Sequence, residues 1–130
     1  MFKKNPLIYG LGTDIIEVER VKNQLEKVSG LKEKVFTPAE IKYSESKIRQ
    51  EQNFAARFAA KEAFFKALGT GWSEGLAYIE VEMINQENGK PEIILYGKSK
   101  EMADKIGIKK IHVSVSHIKE IAHALVLLET

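Results

Sequence analysis

Apolar positions follow two rhythms along this chain, helical in the front half and alternating in the back half. Leu7 to Gly12 reads as a short strand that ends in glycines. Ile15, Val18, Val21, Leu25 and Val28 recur at helical spacing and predict a helix over Ile15 to Lys27. Thr37-Pro38-Ala39-Glu40 is a helix start, with Thr37 as N-cap, Pro38 in the first turn and Glu40 at the capping-box position. That helix carries Ile41 and ends near Ser46. The charged stretch Lys47 to Gln52 is a solvated connection or a helix extension. A central helix then runs from about Asn53 to Leu68 and stops at Gly69-Thr70-Gly71.

The back half alternates. Tyr78, Glu80 and Glu82 interleave with Ala77, Ile79, Val81 and Met83, which predicts a strand over Leu76 to Ile84 with one wet face. Asn88-Gly89 is a hairpin turn signal, and Pro91 leads into a strand from Glu92 to Tyr96. Lys98 to Ile106 is a short amphipathic helix. Ile111, Val113 and Val115 mark the next strand, paired through a turn at His117 to Glu120 with a last strand, Ala122 to Leu128. The expected fold class is α+β, a compact domain over 1–130 with a mostly antiparallel sheet packed against the long central helix.

The central helix carries an unusual load. It is rich in alanine and phenylalanine, yet Arg57, Lys61, Glu62 and Lys66 lie within it. With Arg57 at zero, Lys61 falls at about 40°, Glu62 at about 140° and Lys66 at about 180° around the axis. Apolar residues fill most remaining angles, so the helix is expected to be buried, with an alanine face that lets another element approach closely. Buried charges need partners. In a purely structural reading Glu62 pairs with Lys66 four residues on, while Arg57 and Lys61 lay their stems over the phenylalanines and keep their heads in water. In a functional reading three basic groups face the phosphates of an anionic ligand and the carboxylate holds a divalent metal. The Gly69-Thr70-Gly71 break suits backbone approach to a ligand as well as a plain helix stop.

Composition narrows the choice. The chain has 130 residues, 44% of them apolar, and a formal net charge of +2. That is enough for one good core, and too little charge for a global field that favours nucleic acid. The absence of cysteine excludes disulfides, thiolate catalysis and cysteine-based zinc sites. No apolar run approaches a membrane span, and MFKKNPLIYGLG lacks a secretory apolar core, so a cytoplasmic protein is expected.

Few other residues suggest chemistry. Asp14, between the first strand and the first helix, is either an N-cap or a hard-metal ligand. Magnesium needs only one or two carboxylates, so Asp14 and Glu62 would suffice if they meet. Gly10-x-Gly12 lacks the third glycine and the βαβ series of a dinucleotide fold. Ser116 and His117 are adjacent and diverge in a strand, which argues against a nucleophilic hydrolase. His117 is better placed to bind a phosphate or relay a proton. His112 and His123 are read as structural or surface positions, and Trp72 as a packing residue. A non-catalytic module for RNA or a nucleotide is the alternative raised by 20 Lys and Arg residues, but charge is nearly balanced and no RNA-recognition motif is present.

Together these segments resemble the holo-acyl-carrier-protein synthases, the small single-domain 4'-phosphopantetheinyl transferases. GLGTDIIEVER, FTPAE, RFAAKEAFFKALGTG, NGKP and VSVSH are similar to that family's motifs, occur in its order and span almost the whole chain. The resemblance implies that coenzyme A donates its phosphopantetheine arm to a serine of apo-acyl carrier protein, for fatty acid biosynthesis, and leaves adenosine 3',5'-bisphosphate. It implies a magnesium cofactor and a homotrimer with interfacial sites, and no nucleic-acid or membrane partner. It makes Asp14 and Glu62 the metal ligands. Arg57, Lys61, Lys66, Gly69, Thr70, Gly71, Lys90, Pro91 and His117 would surround coenzyme A, and Arg20 would contact the acidic carrier. Lys66 would stabilise the leaving phosphate, with Glu62, a water on the metal or His117 as the base. His117 would otherwise hold the 3'-phosphate.

Overall fold

A computed structural model describes residues 7–70 and 74–130; Gly71 and Trp72 lie outside the described residues. In chain order the elements are β1 (Ile8–Glu17), α1 (Val18–Lys27), α2 (Leu31–Val35), α3 (Pro38–Glu45), α4 (Gln50–Leu68), a 3₁₀ turn (Tyr78–Glu80), β2 (Val81–Asn85), β3 (Pro91–Leu95), α5 (Gly97–Ile106), β4 (Lys110–His117) and β5 (Ile121–Glu129). They form an α+β architecture. One antiparallel sheet has the order β1-β5-β4, and β2 and β3 form a second, two-stranded antiparallel sheet.

Helix α4 lies across the inner face of the three-stranded sheet. Strand β5 turns Ala122, Ala124, Val126 and Leu128 inward at alternate positions, each fully buried. Against them α4 sets Ala59, Ala60, Ala63 and Phe64, also fully buried. The small residues bring helix and sheet unusually close. A Cβ on Gly12 would stand 2.0 Å from the Ala63 carbonyl oxygen, and one on Gly10 would stand 1.9 Å from that of Ala67. Both collisions are with helix backbone, which cannot swing aside. Gly10-x-Gly12 is therefore a close-approach pair for helix packing and not a nucleotide loop.

Three boundaries differ from the sequence expectation. Strand β1 continues through Ile15 and Ile16 to Glu17, because its pairing with β5 persists as far as Glu17 opposite Ile121. Asp14, opposite Ala124, is accordingly a mid-strand residue and not an N-cap. The segment from Tyr78 to Glu80 forms a 3₁₀ turn before strand β2, since the Glu80 carboxylate accepts from the Ala77 N–H at 3.1 Å and folds the backbone back. The short helix α2 has no counterpart in the apolar rhythm. The capping box at Thr37 and Glu40 forms as expected.

Candidate functional site

Because β1 is pressed against α4 at Gly12 and Ala63, Asp14 comes to the same side of the molecule as Glu62. Both line one cavity of about 550 Å³. Arg20 and Gln24 from α1 also line it, with an apolar wall that includes Leu25, Leu31, Phe36 and Phe58. Residues from β1, α1 and α4 that the sequence could only nominate separately thus share one space.

Each carboxylate is held. Glu62 Oε1 accepts the Tyr78 hydroxyl at 2.7 Å. Asp14 Oδ1 lies 3.1 Å from Lys66 Nζ, which also donates to the Thr13 carbonyl at 3.1 Å. Lys66 therefore reaches across to β1 and pairs with Asp14, not with Glu62 on its own helix. Its side chain is more than half exposed, so this pair is weak and easily exchanged for a stronger anion.

The pair fits a hard divalent cation. Both donors are carboxylates, each with a second oxygen beyond the one already engaged. Among the described residues no group of three or more His, Cys, Asp or Glu could hold a metal. Two carboxylates beside a roomy cavity leave the other positions to water and substrate phosphate, the arrangement magnesium favours.

Arg57 and Lys61 do not join this cavity. Lys61 is fully buried, its ammonium bonded to Glu40 at 2.7 Å and to the carbonyls of Tyr78 and Val81 at 3.1 and 2.5 Å. An ammonium has three hydrogens, and all three are used. Lys61 thus faces Glu40 and backbone carbonyls and not the cavity, and the expectation that its head stays in water is corrected on that ground. Burial lowers its pKa from lysine's ordinary value, and the Glu40 carboxylate opposes the shift. Arg57 is 2% exposed, stacks on the Tyr43 ring at 4.3 Å and donates to Asn85 Oδ1 at 2.5 Å. Burial pulls its pKa down too, against Glu40. Asn85 in turn donates to the Gly89 carbonyl at 2.9 Å, so Arg57 orders the β2–β3 turn.

The remaining candidates are dispersed. Lys90 is exposed at that turn, and Pro91 opens β3. Gly69 caps α4 with φ +82 and Thr70 follows; its Oγ1 is buried with no hydrogen-bond partner among the described residues. His117 ends β4, and its Nδ1 lies 2.7 Å from Gln52 Oε1. Gln52 and Glu62 stand ten residues apart on α4, about 15 Å at helical rise, so His117 is remote from the carboxylates of its own chain.

Sequence reasoning missed Tyr78, Asn85 and the second task of Glu40. Glu40 closes the capping box, accepts from the Met83 N–H at 3.0 Å and neutralises Lys61. A lysine among the alanines and phenylalanines of a buried helix was the available signal that some carboxylate had to meet it.

Residues 10–126 match the family model of the 4'-phosphopantetheinyl transferase superfamily. The chain is similar to a holo-[acyl-carrier-protein] synthase of Geotalea daltonii, 44% identical over 95% of this chain and 99% of that protein. Among solved structures it is similar to a holo-(acyl-carrier-protein) synthase from Bacillus anthracis in complex with CoA (3',5'-ADP), with a TM-score of 0.77, 35% identity and coverage of 95% and 97% of the two chains. It is also similar to that of Neisseria meningitidis, with a TM-score of 0.85, 29% identity and coverage of 95% and 100%.

Proposed function

This chain belongs to the 4'-phosphopantetheinyl transferase superfamily, and from that premise we propose that Asp14, Glu62 and Lys66 carry the transfer in the cavity between β1, α1 and α4. The enzyme moves the 4'-phosphopantetheine group of coenzyme A to apo-acyl carrier protein. The observation that carries the assignment of residues is the meeting of Asp14 and Glu62 on one cavity, with Lys66 on Asp14.

In the reaction a carrier serine oxygen bonds to the phosphorus that bears the pantetheine arm. The bond from that phosphorus to the bridging oxygen breaks, and adenosine 3',5'-bisphosphate leaves. Asp14 and Glu62 would hold magnesium, which would supply Lewis-acid polarisation of the diphosphate and a template for it. Lys66 exchanges Asp14 for the leaving phosphate and offsets its growing charge, a gain of positioning and electrostatics. Glu62, a water in the cavity or a neighbour's His117 takes the serine proton. Arg20, exposed at the cavity on α1, meets the acidic carrier.

The active form is a homotrimer with interfacial sites. Leu11 and Ile15 project from one face of β1 at 59% and 65% exposure, and Ile15 also borders the cavity, so an apolar contact surface and the site adjoin. A neighbour would bring its own His117, remote from the carboxylates of its chain, to the 3'-phosphate. Lys90, Pro91, Gly69 and Thr70 complete the coenzyme A contacts, and the Thr70 hydroxyl, buried with no hydrogen-bond partner among the described residues, supports that. Among the described residues no helix is long and apolar enough to cross a membrane. We assign the enzyme to the cytoplasm.

Mass spectrometry of apo-acyl carrier protein after incubation with the enzyme, coenzyme A and magnesium tests the reading. The carrier is expected to gain one phosphopantetheine. No gain, beside an active control enzyme, overturns the reaction. Sedimentation equilibrium is expected to give the mass of three chains, and a fully active monomer overturns the trimer.

A further inference from the structure

We infer that Tyr78 is the positioning residue for Glu62, and that the buried Lys61–Glu40 pair serves the site by anchoring Tyr78. The inference rests on the reading of Glu62 as a metal ligand. Glu62 is half-buried at the edge of the cavity, on a side chain with three rotatable bonds, so its orientation needs an external constraint. The Tyr78 hydroxyl supplies one at 2.7 Å, on Oε1. A charge-assisted bond of this kind fixes one carboxylate oxygen and turns the other toward a cation.

Tyr78 is itself held at both ends. Its ring lies against Phe58 and Phe65, with centroids 5.2 and 5.7 Å away. Its carbonyl accepts from Lys61 Nζ at 3.1 Å, and Lys61 in turn sits 2.7 Å from Glu40 with both side chains excluded from solvent. The 3₁₀ turn that carries Tyr78 is closed by the Glu80 carboxylate on Ala77 N–H at 3.1 Å. A continuous line thus runs Glu40, Lys61, Tyr78, Glu62. Lys61 and Glu62 are adjacent in sequence and point to different sides of α4, yet Tyr78 joins them through its main chain and its side chain. The lysine of the central motif acts on the reaction through this line.

Tyr78→Phe keeps the ring and removes only the hydroxyl. Mn²⁺ is the probe, titrated by calorimetry into the full chain with coenzyme A present. Tyr78→Phe is expected to weaken Mn²⁺ binding by about tenfold, the scale of lost outer-shell partners. The magnesium concentration for half-maximal rate should rise in parallel, while kcat at saturating magnesium recovers and the melting temperature stays near wild type. A merely structural tyrosine would instead lower the melting temperature and leave Mn²⁺ affinity in place. A change in Mn²⁺ affinity of less than about threefold overturns the role of Tyr78 alone. If the wild-type chain binds no Mn²⁺ under the same conditions, the two-carboxylate metal reading fails and takes this inference with it.

Discussion

The Lys61 ammonium lies 2.7 Å from the Glu40 carboxylate, and solvent reaches neither side chain. The pair ties α4 to the start of α3 and, through the Met83 N–H on Glu40, to β2. Lys61→Met leaves a buried carboxylate without its cation, a change that costs about 3–5 kcal/mol. Urea denaturation should show that loss. A loss under about 1 kcal/mol, joined to a raised KM for coenzyme A, would return Lys61 to the phosphates.

Glu62→Gln is expected to abolish most turnover and leave the fold intact. The amide is isosteric, keeps an oxygen for the Tyr78 hydroxyl and loses the charge that a divalent cation requires. Activity is measured at limiting magnesium, beside circular dichroism of the same preparation. Turnover close to wild type would remove Glu62 from the metal.

Arg20→Ala is expected to raise KM for acyl carrier protein severalfold, with coenzyme A binding unchanged. Arg20 is exposed on α1 and borders the cavity, so it meets a partner at the rim. Rim charges act through long-range attraction, so the wild-type KM should rise with salt and the variant's should rise less. An unaltered carrier KM would take Arg20 off the partner surface.

Gly12→Ala tests the contact that brings the carboxylates together. Its Cβ would stand 2.0 Å from the Ala63 carbonyl oxygen, one residue after Glu62 and two before Asp14 along β1. Either β1 or α4 must move, at a cost of about 1–3 kcal/mol or more. Loss of activity should exceed what the fraction unfolded explains, because the shift separates Asp14 from Glu62. Denaturation and turnover measured on the same variant would expose a discrepancy, and full activity per folded molecule would show that the close approach is not needed.

Alkaline pH should loosen the edge of the two-stranded sheet. The Tyr96 hydroxyl donates to Glu82 Oε1 at 2.9 Å, and this bond, with burial and the Glu82 charge, raises the Tyr96 pKa. A raised folded pKa means that the native state holds the proton more tightly. The stabilisation is complete below the unfolded phenol value near about 10 and is lost as pH rises through the folded value. Melting temperature should therefore fall more steeply between the unfolded and folded values in the wild-type chain than in Tyr96→Phe. Equal slopes would show that Tyr96 contributes nothing there.

The capping box at Thr37 and Glu40, the burial of α4, the turn before Pro91 and the β4–β5 pair were all legible, because each depends on residues close in the chain or on a period repeated over several turns. The end of β1 was not. Residues from Ile15 to Val21 have helical spacing, but pairing with a strand more than a hundred residues later holds Ile15, Ile16 and Glu17 extended. Lys61 shows the same limit at the site. Its place on an apolar helix demanded a partner, and phosphate and carboxylate satisfied that demand equally well on paper.

By itself the sequence determined the α+β class, the buried central helix and the charged residue types that lie within it, since local propensity, period and charge inventory are properties of short segments. Tertiary structure alone decided which charges met. Two glycines on β1 admitted the helix backbone, Asp14 and Glu62 came to one cavity, and Lys66 crossed to Asp14. Lys61 was drawn inward to Glu40, because an ammonium facing the core is stable only where a carboxylate and carbonyls from distant segments converge on it.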